Sequence, residues 1–327
     1  MRVFIAGATG AIGRFAVPAL IRAGHDVTAV ARSDSKAQSL AKQGATPVRV
    51  SVFDGDALRP ILAGHEAVIN IATHIPSLRS AARVSAWAEN DRIRSEGSAT
   101  LANAAQDANV RRYVQESITF IYSDRGDAWI DEDMALEVPH ELRSVMSAEE
   151  STWRFTAAGG NGVVLRFGAL YGPGSEQSSA QIRQARRHMG FVFGRRNAYI
   201  SSLHLADAGS AIVAALSAPA GIYNAVDDEP VAKQRLADAV AAAVGARAWF
   251  NLPGRLSPLV ARGPMAALAR SHRVSNARLR HATGWAPRYR SVREGWDGGW
   301  VAAEMTGQAT SPGMGREEFS RRRGGCR

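Results

Sequence analysis

The sequence predicts an α/β fold: a doubly wound parallel sheet with a smaller C-terminal α/β lobe. Between residues 1 and 122, short apolar runs alternate five times with segments of helical periodicity, and only short loops separate them. The first of these runs, residues 2–6, is apolar after Arg2 with no polar alternation, as a strand covered on both faces is. At 327 residues the chain has room for one or two domains of about 150 residues.

The strands and helices of this first part are predicted in order from the N-terminus. The first strand comprises residues 2–6, and the first helix, residues 11–23, repeats apolar residues at helical spacing up to Gly24, a stop signal. The other predicted strands are 25–32, 46–53, 66–73 and 111–122, and the other predicted helices are 35–44, 56–64 and 80–108.

Beyond residue 122 the alternation is less regular. A helix around residues 148–158 precedes a sixth strand at 162–168, and residues 198–216 predict a short strand followed by a helix. Another strand at 221–228 and a helix at 233–245 follow. From about residue 306 the Gly, Ser and Arg content predicts a disordered tail.

Composition excludes several classes of protein. The net charge of +10 is carried mainly by arginine, but the arginines are scattered among acidic residues beside no nucleic-acid-binding module, so no nucleic-acid partner is expected. The single cysteine, Cys326, allows no disulfide framework or CxxC metal site. No apolar run approaches the ~18 residues of a membrane span, and no targeting segment is evident. A cytoplasmic location without a membrane partner is therefore expected.

The first strand ends in a glycine-rich turn, "GATGAIG", with glycines at Gly7, Gly10 and Gly13. In a strand–turn–helix context such glycines permit a tight turn, close approach of the backbone to a pyrophosphate, and tight packing of helix on sheet. The helix N-terminus then faces the phosphates. The pattern predicts a dinucleotide-binding site.

The whole pattern resembles the short-chain dehydrogenase/reductase superfamily, specifically its extended, NAD-dependent epimerase/dehydratase-like branch. The similar segments are "GATGAIG", "DGDALRPILAGHEAVINIAT", "VVLRFGALYGPGS", "SSLHLADAGSAIVAAL" and "GIYNAVDDEPV", spread over about residues 1–300. The resemblance implies a Rossmann domain at 1–168, its sheet completed by about 198–226. It also implies a substrate-binding lobe at 169–197 and 227–305, a tail at 306–327, a small-molecule substrate and a homodimer.

The end of the second predicted strand decides the cofactor. A carboxylate there binds the ribose hydroxyls of NAD, whereas an arginine pairs with the 2′-phosphate of NADP. Ala31 stands at the acidic position, and Arg32 and Ser33 follow, which favours NADP over NAD. In the alternative interpretation, Arg32 is solvated and Asp34 binds the ribose.

The other cofactor contacts follow from the resemblance. Thr9, Ala11 and Ile12 complete the glycine turn. After the third strand the family has an Asp-x-x-Asp segment against the adenine; here Ser51 stands first and Asp54 last, with Val52 between them. The end of the fourth strand passes beneath the cofactor: Ile71, Ala72 and Thr73.

The family's catalytic pair is a tyrosine four residues before a lysine, assisted by a Ser or Thr. No tyrosine of this chain has a lysine four residues later. Counting back from the sixth strand through Glu149 or Glu150 places the pair within "ELRSVM", residues 141–146, which holds neither residue type. Aligning "ESITFIY" on Tyr122 places Ile118 at the hydroxyl position, between Ser117 and Thr119.

The catalytic residues therefore stay open, with several candidates. Ser117 and Tyr122 end the fifth strand near the expected nicotinamide; His74 follows the fourth strand at the carboxyl edge, where substrates bind. His140 adjoins the missing pair. In the family, the segment carrying His204 and Asp207 is mainly structural, and Trp285 resembles an anchor of the C-terminal lobe. The acidic clusters "IDED" and "DDE" lack histidine partners at ligand spacing, so no metal is expected.

Two functions remain open from the sequence. The first is an oxidoreductase or epimerase-like enzyme that uses NADP(H) on a small carbonyl or sugar-like substrate through a non-standard proton donor. The second is a catalytically silent module that senses or regulates through bound NADP(H). The resemblance to the family and the cofactor features favour the enzyme, while the missing Tyr–Lys pair favours the silent module. An enzyme is the expected function.

Overall fold

The computed structural model describes residues 1–77, 80–81, 83–190, 192–246, 250–251, 267–296 and 299–306. Thr306 ends the last helix; the rest of the predicted tail, including Cys326, lies outside the described residues.

The predicted parallel sheet is confirmed and has seven strands. In chain order these strands are β1 (Arg2–Ala6), β2 (Asp26–Val30), β3 (Thr46–Val48), β4 (Ala67–Asn70), β5 (Arg112–Ile118), β7 (Asn161–Phe167) and β12 (Gly221–Ala225). They lie side by side in the order β3-β2-β1-β4-β5-β7-β12, and all pairs are parallel. The order reverses direction beside β1, and such a switch point is where doubly wound sheets bind ligands.

Helices cover both faces of the sheet. The helices described up to β12 are α1 (Gly13–Arg22), α2 (Asp34–Lys42), α3 (Gly55–Leu62), α4 (Ala88–Arg92), α5 (Ser98–Asp107), α6 (Arg143–Ala157), α7 (Glu176–Ala185) and α8 (Leu205–Ala215). One apolar core lies between the sheet and α1 with α8, and a second lies between the sheet and α3 with α5. The central strands are largely buried on both sides, whereas β3 at the edge is exposed or half-buried.

Short strands and further helices form the rest of the described chain. The short strands are β6 (Trp129–Ile130), β8 (Ala169–Tyr171), β9 (Met189–Gly190), β10 (Tyr199–Ile200), β11 (Ser202–His204), β13 (Val231–Ala232), β14 (Phe250–Asn251) and β15 (Arg273–Val274). The remaining helices are α9 (Lys233–Ala243), α10 (Ala277–Thr283), α11 (Val292–Trp296) and α12 (Trp300–Thr306). A third apolar cluster, containing Trp296 and Trp300, joins α7, α9, α11 and α12 with β8, β10 and β13.

Several predicted boundaries were wrong. The helix expected at 80–108 is divided into a 3₁₀ turn (Val84–Trp87), α4, a π-helical turn (Ile93–Gly97) and α5. The fifth strand ends at Ile118, four residues early, because a 3₁₀ turn follows it. The third strand ends at Val48, because Ser51 turns the chain into α3 by accepting a hydrogen bond from the Phe53 amide.

Candidate cofactor and active site

The glycine turn after β1 is held against the end of β4. Gly7 has φ +85°, and a Cβ there would lie 2.5 Å from the Ile71 carbonyl oxygen and 2.7 Å from the Ala72 nitrogen. A Cβ on Gly13 would lie 2.3 Å from the Ala8 carbonyl oxygen. Side chains do not fit at either position, so both glycines are required for the backbone to pass this closely.

The glycine turn leaves the start of α1 without a side-chain cap. The residue before the helix, Ile12, is buried and supplies no capping hydrogen bond, and the first turn holds no acidic residue. Thr9 is half-buried, and Ala11 is exposed. Because unpaired amides and the helix dipole favour an anion, this end of α1 fits a pyrophosphate.

One residue of α1 that the sequence argument missed also borders this turn. The Arg14 guanidinium donates a 2.6 Å hydrogen bond to the Gly174 carbonyl, in the loop after β8. The contact joins the glycine turn to the "YGPG" loop. A cation at the second residue of a helix interacts unfavourably with the helix dipole. Its presence there in the sequence was the sign that Arg14 has another role.

At the end of β2, the predicted NADP determinants occupy the edge of the sheet. Arg32 is exposed, and no hydrogen bond or ion pair of its side chain occurs among the described residues. Ser33 caps α2 by accepting from the Lys36 amide at 3.4 Å. Asp34, the alternative ribose ligand, pairs with Arg49 at 3.2 Å. Among the described residues, the Arg32 guanidinium is therefore free to bind a phosphate, whereas the Asp34 carboxylate is paired with Arg49.

At the expected adenine end of the site, the side chains of Ser51 and Asp54 already accept hydrogen bonds from nearby backbone amides. The Ser51 hydroxyl accepts from the Phe53 amide at 3.2 Å, and the Asp54 carboxylate caps α3 by accepting from the Ala57 amide at 3.0 Å. Val52 lies half-buried between them.

The segment after β4 carries Ile71 buried, Ala72 and Thr73 half-buried and His74 exposed. Asn90, itself buried, accepts a hydrogen bond from the His74 backbone amide at 3.1 Å. The His74 ring has no partner among the described residues. Its backbone is therefore fixed while its side chain is accessible.

Ser117 and Tyr122 instead belong to a buried polar network. The Ser117 hydroxyl donates to Glu149 of α6 at 2.5 Å, and the Arg166 guanidinium binds the same carboxylate through two nitrogens at 2.8 and 2.7 Å. Arg166 also donates to the Tyr122 hydroxyl at 2.9 Å, which donates to Asn224 at 2.9 Å.

This network limits what the Tyr122 phenol can do. Burial raises the pKa of Tyr122 to about 12, although Arg166 opposes the shift. The side chain is fully buried. The Ser117 and Tyr122 hydroxyls therefore both form hydrogen bonds within the network that joins α6 to β5, β7 and β12. Their catalytic role stays a prediction.

Apolar side chains from the end of β5 and the start of α6 lie together near the segment 141–146, where the resemblance places the catalytic pair. Ile118 at the end of β5, Leu142 before α6 and Val145 in its first turn belong to one cluster, in which Leu142 and Val145 are buried. The other members of this group, hereafter the apolar cluster, are Phe120, Ile121, Val138, Met146 and Ala267. The polar side chains Glu141, Arg143 and Ser144 lie in the same segment as Leu142 and Val145.

The remaining histidine candidates differ in surroundings. His140 is exposed at the start of a 3₁₀ turn. His204 is buried; burial lowers its pKa to about 3, and its Nδ1 accepts from the Ala206 amide at 3.2 Å. Asp207 accepts from the backbone amides of Arg288 and Tyr289. These contacts match the structural role expected for His204 and Asp207.

Other sequence motifs have simple contacts. The Trp285 indole donates to the Ser210 hydroxyl at 2.9 Å, which ties the C-terminal part to α8. In the acidic clusters, Asp133 pairs with Arg278 and Asp228 with Arg290.

Within the described ranges no three His, Cys, Asp or Glu side chains come together as a metal site. In the same part of the chain, no helix is long and apolar enough to cross a membrane.

Fold and glycine turn together define an α/β protein that binds NAD(P) at the edge where β1 and β4 end. A family model described as NAD(P)H-binding matches residues 7–184. The chain belongs to this NAD(P)H-binding family.

Two curated relatives are reductases by name. The chain is 33% identical over 306 residues to a 3-diazoavenalumate denitrifying reductase from Streptomyces, covering 90% of this chain and 99% of the relative. It is 27% identical over 239 residues to a 4-hydroxy-2-methyl-3-oxo-4-farnesyl-3,4-dihydroquinoline-1-oxide ketoreductase from Stigmatella aurantiaca, covering 71% and 70%.

Solved structures confirm the epimerase-like fold. A UDP-glucose 4-epimerase from Thermotoga maritima, with UDP-glucose, matches with a TM-score of 0.76 at 18% identity, over 94% of this chain and 99% of the other. A human epimerase family protein with NADPH matches with a TM-score of 0.73 at 23% identity, over 91% and 98%. With the reductase relatives, these matches confirm an NAD(P)-dependent oxidoreductase- or epimerase-like enzyme.

Proposed function

We propose that the chain is an NADP(H)-dependent reductase of a small carbonyl or sugar-like compound and that it uses a proton donor other than a Tyr–Lys pair. The observation that carries this proposal is the glycine turn that admits no Cβ, packed against the end of β4, with the exposed His74 following at the same edge of the sheet. The apolar cluster near the segment 141–146 is the reason to look for the proton donor elsewhere. The two reductase names among the relatives support reduction over epimerisation.

Residues 169–197 and 227–305 would form the substrate-binding lobe of this enzyme, because α7, α9 and α11 pack together outside the sheet. The homodimer and the cytoplasmic location stay predictions from the sequence.

The residues that would hold the cofactor are those of the glycine turn (Gly7, Thr9, Gly10, Ala11, Ile12, Gly13), of the β2 and β3 ends (Arg32, Ser33, Ser51, Val52) and of the β4 end (Ile71, Ala72, Thr73). NADPH supplies a hydride when bound. The chain's own task is then to orient the substrate and to deliver one proton to its oxygen.

His74 is the candidate best placed for the proton. It is exposed at the carboxyl edge of β4, its backbone is fixed by Asn90, and its ring is free among the described residues. In a carbonyl reduction a C–H bond forms at the carbonyl carbon and the C–O π pair moves to the oxygen. The His74 imidazolium would give that oxygen its proton and regain one from water.

Replacing His74 tests this function. The variant His74→Asn should lower kcat about 100-fold and leave the Kd for NADPH unchanged, measured by NADPH oxidation over a panel of carbonyl compounds and by fluorescence titration. His281→Asn is the matched control, because His281 is exposed on α10, the helix packed against β12. Tight NADPH binding by the unmodified chain without oxidation by any compound would favour the silent sensor instead.

The NADP preference depends on Arg32. We expect Arg32→Ala to weaken NADP binding about 10- to 100-fold, since a charge-assisted hydrogen bond to the 2′-phosphate is lost. NAD binding should change by less than about twofold, since NAD lacks that phosphate and no charged contact is lost. Lys42→Ala removes the same charge from the opposite end of α2 and controls for net charge. Titration calorimetry with both cofactors decides, and an equal loss for NAD and NADP would contradict the assignment.

A further inference from the structure

The polarity of the side chains at the candidate site restricts the substrate further than the proposed function, on which this inference rests. We propose that the site takes a weakly polar carbonyl compound with an apolar body, an aromatic or conjugated ketone, and excludes nucleotide sugars. The proposal comes from the side chains that border the carboxyl ends of β4 and β5.

The apolar cluster begins at the end of β5, the strand that pairs with β4. The two strands pair in parallel, and Asn70 opposite Gln115 is the last pair. Thr73 follows the end of β4 and Ile118 ends β5, so both lie at the carboxyl edge of the sheet, where the fold binds its ligands. Ile118, Phe120 and Met146 are only half-buried, so part of their apolar surface is available at this edge.

Among the described residues, polar and apolar side chains are unevenly distributed at this edge. Thr73 and His74 follow β4, whereas the β5 and α6 side carries the apolar cluster. The polar groups on that second side include the exposed Arg143, Ser144, which donates to Asp91, and His272, which packs against Phe120. Ser117 and Tyr122, which could have added hydroxyl groups there, are buried in the Glu149–Arg166 network. The arrangement suits a molecule with an apolar body and one carbonyl oxygen at the His74 end.

A sugar would fit this surface poorly. Each hydroxyl buried against aliphatic side chains without a partner weakens binding by about tenfold or more. An aromatic ring loses no hydrogen bond there and gains from every apolar contact. The site therefore selects aromatic ketones over sugars, because only the sugar loses hydrogen bonds to water that the surface does not replace.

Three arginines of the described chain, Arg195, Arg270 and Arg273, bind the segment at 122–137 that follows β5. Arg270 donates to the backbone carbonyls of Tyr122 and Glu137 and to the Glu137 carboxylate. Arg195 pairs with Asp124, and Arg273 donates to the Asp127 carbonyl and stacks on the Trp129 ring. These contacts leave the three guanidinium groups less able to bind a diphosphate, although the Arg273 Nε is buried without a partner among the described residues.

The test measures binding to the full chain saturated with NADP⁺, so that no turnover is needed. The probes are 2-acetonaphthone, an aromatic ketone, and UDP-glucose, a nucleotide sugar, each followed by calorimetry. Met146→Gln, which keeps the shape of the side chain, should weaken 2-acetonaphthone about fivefold or more. Met305→Gln is the matched control, since Met305 is exposed on α12. Ile118→Thr is a second variant, and thermal unfolding checks that each variant is folded.

Saturable binding of 2-acetonaphthone that is weakened in both cluster variants and unchanged in the control supports the proposal. Binding of UDP-glucose at equal or higher affinity overturns it, and so does the absence of saturable ketone binding. The proposed function fails separately: the ketone then binds as expected, but NADPH is not oxidised by it or by any other carbonyl compound.

Discussion

Replacing Gly7 by alanine is expected to abolish NADP(H) binding and to lower the free energy of unfolding by about 3 kcal/mol or more. Two costs combine at this residue. Its φ of +85° is strained for alanine, and the new Cβ would lie 2.5 Å from the Ile71 carbonyl oxygen. Because the obstacle is backbone of β4, the turn itself must move, and the start of α1 moves with it.

Gly24 provides the matched control for this prediction. It has φ +80°, but a Cβ there would meet nothing within 4 Å. Gly24→Ala should therefore cost only the backbone strain, about 1–2 kcal/mol, with unchanged cofactor affinity. Chemical denaturation and NADP⁺ titration of both variants separate the two costs. Equal cofactor affinity in Gly7→Ala and Gly24→Ala would show that the turn is not the phosphate-binding element.

The second large effect is expected from Glu149→Ala, which should destabilise the protein by about 3–5 kcal/mol. Glu149 is 1% exposed and accepts hydrogen bonds from both Ser117 and Arg166. Removing its carboxylate leaves the Arg166 cation buried without its counter-ion, which costs more than the pair contributes.

The neighbouring residue serves as the control. Glu150 lies on the same helix, is largely exposed and pairs with Arg154 at 3.8 Å. Glu150→Ala should cost less than about 0.5 kcal/mol, as exposed i,i+4 pairs do. Urea denaturation of the two variants measures both values. A cost below about 1 kcal/mol for Glu149→Ala would mean that the network is not needed to join α6 to the sheet.

The sequence predicted the sheet well because its central strands are largely buried on both faces and helices alternate with them. Boundaries failed at local turns. The Ser51 hydroxyl accepts from the Phe53 amide after the third strand, and a backbone 3₁₀ turn after Ile118 shortens the fifth. Local hydrogen bonds compete with strand pairing and leave only weak sequence signals.

The glycine turn could be predicted from spacing, whereas the surroundings of the expected catalytic segment could not. A glycine needed for close backbone contact is visible in a sequence, as Gly7 and Gly13 are. The apolar cluster joins residues from β5, from α6 and from Ala267, which are far apart in the chain. Only the fold shows that these apolar side chains pack together near the segment 141–146.

The most direct test of a reductase without the Tyr–Lys pair is deuterium transfer from NADPH labelled at C4 to 2-acetonaphthone, followed by mass spectrometry of the alcohol. The account predicts one deuterium on the carbinol carbon, formed by the unmodified chain and about 100-fold more slowly by His74→Asn. Labelled NADPH that binds tightly yet gives no deuterated alcohol, with this or any other carbonyl compound, would contradict it.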